Sequence, residues 1–553
     1  MSSAPDATST AGVIREAIDP RRFAWSRPLV QAYTHDFPSV ARWFAGNPQD
    51  PAAWNRVIRQ VQQARRDPAL TCRTISRQLD RRGAPAPARE AAAALAHPAT
   101  VAIVTGQQAG AFGGPLYTLL KAVTTIQLAR RLSADHHVTV VPIFWVDGED
   151  HDWDEVCVAR LLDRDLSPVE LSLSASGSPD GPVAGRVLDD GIAATLEQLA
   201  AILPPTEFTT EVIDRLRRHY RSGAGVATAF AGWMDDLLGG AGLVVFEAAD
   251  ADAKPAVAPI FEQELHAPSA SRLARQAADA LRQSGHAPQV EPAEDAVALF
   301  YLDERGRMPI RRQAGDGAYQ VGDRTRSAAE LAAEARSHPE RFSPNVLLRP
   351  LVQDRLFPTI GYVAGPAELA YQAQLGAVYQ AFGVDPPILY PRVSATLLDS
   401  AAARFLERYH LPIEELQGQD DAALNRLLEA QLPAPIEHAL AAAEAYLAGQ
   451  ASEIKPAVAA IDPTLTGAVD TTIERVRETF AHLRNKVVQA SKRRDQTLRR
   501  QFERTRALAF PTGEPQERVL NVAFFVNRYG PALGERLIDV LPLETDKHYL
   551  LTL

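Results

Sequence analysis

The sequence predicts an α/β protein built on a doubly wound parallel sheet, and three observations favour this class. From residue 101 onward, short apolar segments typical of buried strands alternate with longer segments of helical periodicity. This pattern returns twice, each time after a segment of different composition. At 553 residues, the chain is also too long for one ordinary hydrophobic core. A single sheet collected from three blocks of the chain is the simplest explanation, and several small separate domains are the alternative.

The same pattern divides the chain into a core, two insertions, a helical segment and two termini. A Ser/Gly/Pro-rich stretch marks the first insertion, and a helix over Ser269–Ser284 with a hairpin near Leu299–Arg307 marks the second. In chain order, the predicted parts are a disordered leader (1–19), a core (20–160, 231–264 and 346–398), the insertions (161–230 and 265–345), a helical coiled-coil hairpin (399–510) and a tail that returns to the core (511–553).

Apolar residues at heptad spacing predict the coiled-coil hairpin. They recur seven positions apart at Leu440, Leu447, Ile454 and Ile461. A second run begins at Ile473, and Asp462-Pro463 between the runs is typical of one helix ending and another beginning. We therefore expect two antiparallel helices packed as a C-terminal coiled coil, with an ordinary helical bundle as the alternative.

Composition excludes several classes of protein. A formal charge of −10 argues against a nucleic-acid-binding surface, which needs clustered Lys and Arg. Cys72 and Cys157, the two cysteines, cannot build a disulfide framework or a thiolate metal site. No apolar run approaches the roughly 20 residues of a membrane span, and the polar N-terminus lacks the pattern of a signal peptide. We expect a cytoplasmic protein that binds neither nucleic acid nor membrane.

A glycine-rich segment, Thr105–Gly114, joins the first predicted strand to a helix predicted over Pro115–Leu132. Backbone N–H groups and the helix dipole favour an anion at such a junction, although the segment has neither a Walker A ending nor the dinucleotide fingerprint. We expect its backbone and the paired amides of Gln107 and Gln108 to hold an anion. Tyr117 and Lys121 lie one turn apart on the helix and can reach the same place; for Lys121, a surface position is the alternative.

An acidic segment, Gly148–Glu155, follows the second predicted strand, Val138–Val146, and places five carboxylates around His151. Neighbouring anions favour a protonated imidazole, which makes His151 a candidate proton acceptor. The carboxylates can grip a substrate ammonium group or hydrated Mg²⁺, whereas no second histidine stands at the spacing of a zinc ligand. An acidic helix N-terminus is the alternative for Asp152, Asp154 and Glu155.

A third polar segment contains Arg349 and Asp354, which we expect to flank a strand. It also contains Glu368, in the first turn of one helix predicted from about Ala367 to Phe382. Arginine is suited to clamp a substrate carboxylate or phosphate, and a structural ion pair between Arg349 and Asp354 is the alternative. Open parallel sheets bind ligands at the carboxyl ends of their strands. We therefore expect the glycine-rich and acidic segments to face one crevice.

Together, these segments resemble the bacillithiol-biosynthesis cysteine-adding enzymes. The similarity covers roughly residues 20–550 and is carried by Thr105-Gly-Gln-Gln-Ala-Gly, Gly114-Pro-Leu-Tyr-Thr, Phe144-Trp, Gly148-Glu-Asp-His-Asp, Gly361-Tyr-Val-Ala-Gly-Pro-Ala-Glu, Pro515-Gln-Glu-Arg-Val-Leu-Asn521 and Asn527-Arg-Tyr-Gly530. The resemblance implies a Rossmann-like core similar to class I aminoacyl-tRNA synthetases, with two connecting insertions and a dimerising coiled coil. It also implies a ligase that adds L-cysteine to glucosaminyl-malate and uses ATP to activate the carboxylate, with Mg²⁺ as an accompanying ion and no dedicated metal site.

The resemblance and the residue patterns lead to one set of expected roles. Catalysis is assigned to Glu149, Asp150, His151 and Asp152. Substrate binding is assigned to Gln107, Gln108, Tyr117, Lys121, Trp145, Arg349, Asp354, Tyr362 and Glu368, and nucleotide binding to Thr105, Gly106, Gly110, Gly114, Arg392, Gln516 and Arg518. Neither a His-x-Gly-His nor a Lys-Met-Ser-Lys-Ser motif is present. The alternatives are a metal-dependent hydrolase that uses the Glu149–Glu155 cluster, and a nucleotide-binding scaffold whose coiled coil docks a partner.

Overall fold

The structure, a computed structural model, describes residues 12–64, 68–313, 317–430, 434–494 and 496–553. The chain forms two compact units, one of Met1–Leu397 with Gln516–Leu553 and the other of Leu398–Pro515. None of the described helices is both long enough and apolar enough to cross a bilayer.

The first unit is organised around a five-stranded parallel sheet. Its strands are β1 (Val101–Gln108), β2 (Val140–Asp147), β3 (Val244–Glu247), β4 (Thr359–Ala364) and β5 (Ile388–Pro391). Their spatial order is β5-β4-β1-β2-β3. The chain runs from β1 to one side of the sheet for β2 and β3, and then to the other side for β4 and β5. The order therefore reverses between β1 and β4, which is the point where open α/β sheets place ligands.

The central strands are apolar because both of their faces are covered. The first six residues of β1 and the first seven of β2 are buried, as expected for an interior parallel strand. Helix α1 (Leu116–His136) connects them; it follows Pro115, whose fixed φ suits a helix start. The doubly wound parallel sheet predicted from the strand–helix pattern is thus confirmed.

Further helices of the first unit surround the sheet. Those before β1 are Pro28–His35, Phe37–Val40, Pro51–Gln63, Pro68–Arg82 and Ala86–Ala94; those after it are Val226–Leu238, Ala258–His266, Arg349–Leu356, Pro366–Gln372, Gly376–Phe382, Gln516–Val519, Val522–Tyr529 and Leu533–Val540.

Two segments with their own small sheets interrupt the core. The first, between β2 and β3, contains the hairpin of Val158–Leu162 with Pro168–Ser172, the pair Ala175–Ser176 and Val187–Leu188, and the helices Ile192–Ile202 and Thr209–His219. The second, between β3 and β4, contains helices Ala270–Gln283 and Ala328–Ser337 and an antiparallel sheet of Ala296–Asp303, Gly306–Arg312, Ala318–Val321, Arg324–Ser327 and Phe342–Pro344. The helix and hairpin predicted here are confirmed, and the other three strands were not predicted.

Three predictions of local structure are wrong. Val13–Ile18, part of the predicted disordered leader, is a strand paired with His548–Thr552, which also joins Ser394–Leu398; a partner over 500 residues away leaves no local signal, and residues 1–11 lie outside the described residues. The strand expected between Arg349 and Asp354 is a helix, with Pro350 in its first turn. The single helix expected after Gly365 is divided in two near residues 373–375.

The second unit is helical. Its helices are Ser400–Tyr409, Ala422–Glu429, Ala434–Ile461, Thr466–Arg494 and Gln496–Ala509. The two long helices pack against each other and are joined by the short turn Pro463–Leu465. The Asp462 side chain caps this turn by accepting a hydrogen bond from the Thr464 N–H. The predicted antiparallel helical hairpin is therefore confirmed.

A buried arginine fixes the N-terminal helices to the edge of the core sheet. Arg82 donates hydrogen bonds to Asp235 at 2.6 Å, to Glu247 at the end of β3 at 2.7 Å and to the Val245 carbonyl at 2.6 Å. The Arg82 side chain is only 2% exposed. Loss of one partner from a buried ion pair leaves an uncompensated charge, so the two carboxylates depend on this guanidinium.

We predict that Arg82→Met lowers the free energy of unfolding by about 3 kcal/mol or more, because Asp235 loses its counter-ion and Glu247 keeps only the exposed Arg81, at 3.8 Å. The matched control is Arg89→Met, since Arg89 pairs with Asp80 at 3.6 Å with both side chains exposed; it should change the free energy by less than about 0.5 kcal/mol. Urea unfolding followed by circular dichroism measures both. Equal losses in the two variants would contradict the prediction.

Candidate active site at the carboxyl ends of the core strands

A cavity of about 820 Å³ opens at the carboxyl ends of the core strands. β1 contributes residues 106–108, β2 contributes Asp147, β4 contributes Tyr362, and Arg392 follows β5. Gln108 lies opposite Asp147 in the register of β1 and β2. The polar segments that follow the first two strands therefore face one crevice, as predicted.

A buried lysine holds the floor of the cavity together. The ammonium group of Lys121 donates to the Gly106 carbonyl at 2.7 Å and to Gln107 Oε1 at 3.0 Å, and lies 2.5 Å from Glu368 Oε2. Glu368 also accepts a hydrogen bond from the Tyr362 hydroxyl at 2.6 Å. Burial disfavours the Glu368 carboxylate, but the Lys121 charge and these bonds outweigh burial and hold its pKa below the ordinary value. Lys121 is therefore a buried cation and not a surface lysine.

Arg349 lies in the middle of the cavity beside an acidic group. Its guanidinium donates to the Tyr371 hydroxyl at 2.8 Å and to Gln353 Oε1 at 3.3 Å, and its Nε lies 3.8 Å from Asp147 Oδ2. Burial raises the pKa of Asp147, although the Arg349 charge opposes this. The cavity thus contains a carboxylate of raised proton affinity next to a fixed guanidinium.

The acidic turn after β2 forms one wall. Asp150 accepts hydrogen bonds from the Gln108 amide at 2.6 Å and from the His151 backbone N–H at 2.7 Å. Burial opposes ionisation of Asp150, but these bonds hold its pKa below the ordinary value. Glu149 is buried and pairs with the buried Lys254. Burial raises the pKa of Glu149 in spite of that partner.

The wall next to the acidic turn comes from the second insertion and the residues just after it. These residues are Phe300, Arg307, Pro344, Asn345 and Val346. The Arg307 guanidinium carbon lies 3.8 Å from the centre of the Phe300 ring, and Nη1 lies 3.7 Å from Asp150 Oδ1. An insertion therefore supplies a cation to the side of the cavity that is richest in carboxylates.

The region beyond β5 is completed by the C-terminal segment. Arg392 is buried and donates to the two carboxylate oxygens of Glu517 at 2.6 and 3.0 Å. The guanidinium carbon of Arg392 lies 5.6 Å from the centre of the Tyr117 ring. Arg518 lines the same cavity. Residues separated by more than 100 positions thus form one cationic wall.

Two predicted substrate-binding residues do not line the cavity. Trp145 is buried in the hydrophobic core, where its ring contacts those of Phe246 and Phe357. Asp354 is buried and accepts a hydrogen bond from the Tyr379 hydroxyl at 2.6 Å, and burial raises its pKa to about 6. Because Arg349–Leu356 is helical, residues five positions apart face different directions, and only Arg349 reaches the cavity.

The anion site expected at the glycine-rich loop is not formed. Gly106 lines the cavity, but Gly110 and Gly114 do not. Backbone of the C-terminal segment occupies the start of α1: the Leu116 N–H donates to the Leu520 carbonyl at 2.9 Å, and the Val522 N–H donates to the Gly114 carbonyl at 2.8 Å. The glycines are needed for packing, since a Cβ at Gly110 would lie 2.9 Å from the Gly114 Cα.

Four other predicted residues do not line the cavity, namely Thr105, His151, Asp152 and Gln516. The Thr105 hydroxyl donates to the Val363 carbonyl at 2.9 Å, and Gln516 bonds both backbone groups of Leu397 at 2.8 and 2.9 Å. The Asp152 side chain caps the short helix Trp153–Val156, so the acidic-helix alternative is correct for this residue. The His151 side chain is 49% exposed.

Sequence analysis missed several residues that line the cavity. Asp147 directly precedes the acidic segment Gly148–Glu155, Glu155 ends it, and Tyr371 lies one helical turn after Glu368, so all three lie next to residues that were predicted. Arg307 carried no such signal, because a hairpin more than 150 residues from Asp150 brings it there.

The charged side chains of the lining are balanced. Lys121, Arg307, Arg349, Arg392 and Arg518 are the cations, and Asp147, Glu149, Asp150, Glu155 and Glu368 are the anions. Such a cavity suits small molecules that carry both ammonium and carboxylate groups. Among the described residues, no group of three or more His, Cys, Asp or Glu side chains is arranged to hold a metal ion.

Comparison with known proteins places these features in a family. Residues 17–393 match the N-terminal Rossmann-like domain of bacillithiol biosynthesis BshC, and residues 395–553 match its C-terminal coiled-coil domain. The chain is 34% identical to "Putative cysteine ligase BshC" of Salinibacter ruber over 520 residues, which cover 93% of this chain and 94% of that protein. Proteins of the same name from Heliobacterium modesticaldum and Chlorobaculum tepidum are 35% and 32% identical, over 84% and 83% of this chain and 85% and 84% of theirs. The chain therefore belongs to the bacillithiol biosynthesis BshC family.

Proposed function

We propose that this protein is a ligase that joins L-cysteine to the amine of glucosaminyl-malate in bacillithiol biosynthesis. The names of its relatives support the cysteine-ligase activity. The observation that carries the proposal is the balanced set of guanidinium and carboxylate groups in one cavity, which suits a zwitterionic amino acid next to a malate group.

The two substrates are assigned to different parts of the cavity. Asp150 and Glu155 bind the cysteine ammonium group, because both carboxylates line the acidic wall. Arg349 binds a malate carboxylate, since two of its five N–H donors are used by Tyr371 and Gln353 and the others remain for a substrate. This arrangement brings the amine of the sugar toward Asp147.

Amide formation at neutral pH needs an activated carboxylate, and we assign that role to ATP, accompanied by Mg²⁺. The fit is electrostatic: Arg392 and Arg518 form a cationic wall that suits phosphate groups, with the Tyr117 ring beside it. When bound, ATP supplies the acyl activation. By analogy with class I aminoacyl-tRNA synthetases, the core carries this site at the reversal of its strand order.

The protein itself must accept a proton from the attacking amine. We assign this role to Asp147 in place of His151, because Asp147 lines the cavity and burial raises its pKa, whereas the His151 side chain lies outside the lining. A metal-dependent hydrolase has less support, since Glu149 is already paired with Lys254. A scaffold that only binds a partner would not explain the charged groups arranged around Asp147.

We also propose a cytoplasmic homodimer formed through the coiled coil. Cys72 and Cys157 are free thiols, as in reducing compartments. Apolar side chains of the second unit remain exposed in one chain, and they include Tyr446, Ile454, Ile461, Leu465 and Leu483. A seam of this kind is stabilised when a second copy covers it.

The first prediction from this function concerns turnover. Purified protein given cysteine, ATP and glucosaminyl-malate should form the thiol product and release AMP or ADP, both measured by chromatography with mass detection. Omission of any one substrate should abolish product, and serine in place of cysteine is the control for side-chain recognition. Product without nucleotide consumption would refute ATP activation, and no product with all substrates present would refute the ligase assignment.

The second prediction concerns the proton acceptor. Asp147→Asn should lower kcat about 100-fold or more, because the amide cannot accept the proton. Burial raises the pKa of Asp147, so this carboxylate takes up its proton at a higher pH than an ordinary aspartate does. The rate of the natural protein should therefore decline toward acid pH, and that decline should vanish in the variant. His151→Ala is the control and should change kcat less than about threefold. A large loss in His151→Ala with little in Asp147→Asn would reverse the assignment.

The third prediction concerns assembly. Analytical ultracentrifugation should give a mass of about 120 kDa, twice the 60.1 kDa of the chain. Ile454→Glu combined with Ile461→Glu should shift the mass to that of one chain, because charges at heptad positions disfavour helix pairing. Glu444→Lys, an exposed change on the same helix, should leave the dimer intact. A monomer in the natural protein would contradict the proposal.

A further inference from the structure

We propose that Arg307 binds the carboxylate of the amino-acid substrate, and that the two insertions together hold it in position. This inference rests on the proposed function and deepens it by naming a residue that determines which amine-bearing thiol is accepted. The contacts of the Arg307 side chain and backbone carry the argument.

The Arg307 side chain is fixed before any ligand binds. Its Nε donates to Ser343 Oγ at 3.3 Å, and Nη2 donates to the Pro344 carbonyl at 3.1 Å. The guanidinium stacks on the Phe300 ring, and the side chain is only 9% exposed. These contacts use Nε and Nη2 and leave Nη1 at the acidic turn, 3.3 Å from His151 Nδ1 and 3.7 Å from Asp150 Oδ1. A preorganised guanidinium of this kind is suited to a carboxylate.

The backbone of Arg307 is held by the first insertion. The Arg307 N–H donates to the Asp180 carbonyl at 2.9 Å. Gly306 next to it has φ +130°, and a Cβ there would lie 2.6 Å from the same carbonyl oxygen. Only glycine permits this approach. The first insertion therefore fixes the position of the Arg307 backbone relative to the cavity.

The same stretch of the first insertion also holds the acidic turn. The Val183 N–H donates to the Asp150 carbonyl at 2.8 Å, and the Ala184 N–H donates to the Gly148 carbonyl at 2.8 Å. Residues 180–184 are thus bonded both to the turn that bears Asp150 and to the strand that bears Arg307. One short segment fixes the spacing between the anion and the cation.

That spacing fits an α-amino acid. Its ammonium and carboxylate groups stand on one carbon atom, so a receptor needs an anion and a cation side by side, as Asp150 and Arg307 are. Burial lowers the pKa of Arg307, while the charges of Asp150, Asp147 and Glu149 oppose this. A guanidinium that has lost water gains more from a bound carboxylate than an exposed one does.

Calorimetric binding of L-cysteine and of cysteamine, which lacks the carboxylate, tests the role of Arg307. The natural protein should bind cysteine about 10-fold or more tightly than cysteamine, as one charge-assisted hydrogen-bonded pair provides. Arg307→Met should reduce that ratio to near one, and Arg307→Lys should recover part of it. Arg305→Met is the matched control, because Arg305 lies two positions away and pairs with Asp303 and Asp323.

Gly306→Ala tests the positioning by the first insertion. This variant should have a severalfold smaller ratio of cysteine affinity to cysteamine affinity. Its midpoint of urea unfolding should stay close to that of the natural protein, because the variant still folds. Gly185→Ala is its control, since a Cβ at Gly185 meets nothing within 4 Å. An unchanged preference in Gly306→Ala would show that Asp180 does not position Arg307.

The outcomes separate this inference from the function on which it rests. If the natural protein prefers cysteine and Arg307→Met keeps that preference, the role of Arg307 is refuted and the ligase proposal stands. A natural protein that binds neither thiol, even with ATP and glucosaminyl-malate present, refutes the cysteine assignment and this inference with it.

Discussion

The buried ion pair of Lys121 and Glu368 is the interaction on which the cavity depends. Lys121 lies on the helix that leaves β1, and Glu368 lies on the helix that follows β4, so the pair spans the point where the strand order reverses. Removing two charges from water costs several kcal/mol per ion, and excellent geometry with further hydrogen bonds is needed to offset that cost. The Gly106 carbonyl and the Tyr362 hydroxyl provide those bonds. The carboxyl ends of β1 and β4 are therefore held at one separation, and the cavity lies directly above them.

The two insertions fix the walls of the cavity, as the buried ion pair fixes its floor. A sheet alone would present the strand ends to open solvent, where a charged substrate gains little from an ion pair. The second insertion covers the acidic turn with Arg307 and Phe300. Residues 180–184 of the first insertion form backbone hydrogen bonds both to the acidic turn and to the strand that bears Arg307. Water is reduced around Asp147 and Asp150 as a result, and each charged contact with a substrate becomes stronger.

The sequence predicted the parts of the fold that depend on local patterns. Apolar strands that end in polar clusters located the cavity, because the rule for parallel sheets needs only the strand and its end. The rule does not say which residues near a strand end face the cavity. Trp145 was predicted to bind substrate but is buried in the core, whereas Asp147, two positions later, lines the cavity and was not predicted. The glycine-rich loop resembled an anion site, but a segment 400 residues later covers its backbone. Long-range contacts of that kind, and the arrival of Arg307 on a hairpin, leave no trace in local spacing.

The C-terminal segment, which comes after the coiled coil in the chain, completes the Rossmann-like domain. The family's coiled-coil model begins at residue 395, yet Gln516–Leu553 belongs to the same compact unit as the core sheet. The reason is electrostatic: Arg392 is buried beside the cavity, and its counter-ion, Glu517, lies 125 positions later in the chain. Without that carboxylate, Arg392 would be a buried, unpaired charge, which proteins avoid. The Asn521 side chain, which donates to the Ala111 carbonyl at 2.7 Å, closes the glycine-rich loop in the same way. The unit that contains the cavity is therefore defined by charge pairing and packing, and in the chain the coiled coil lies between its two parts.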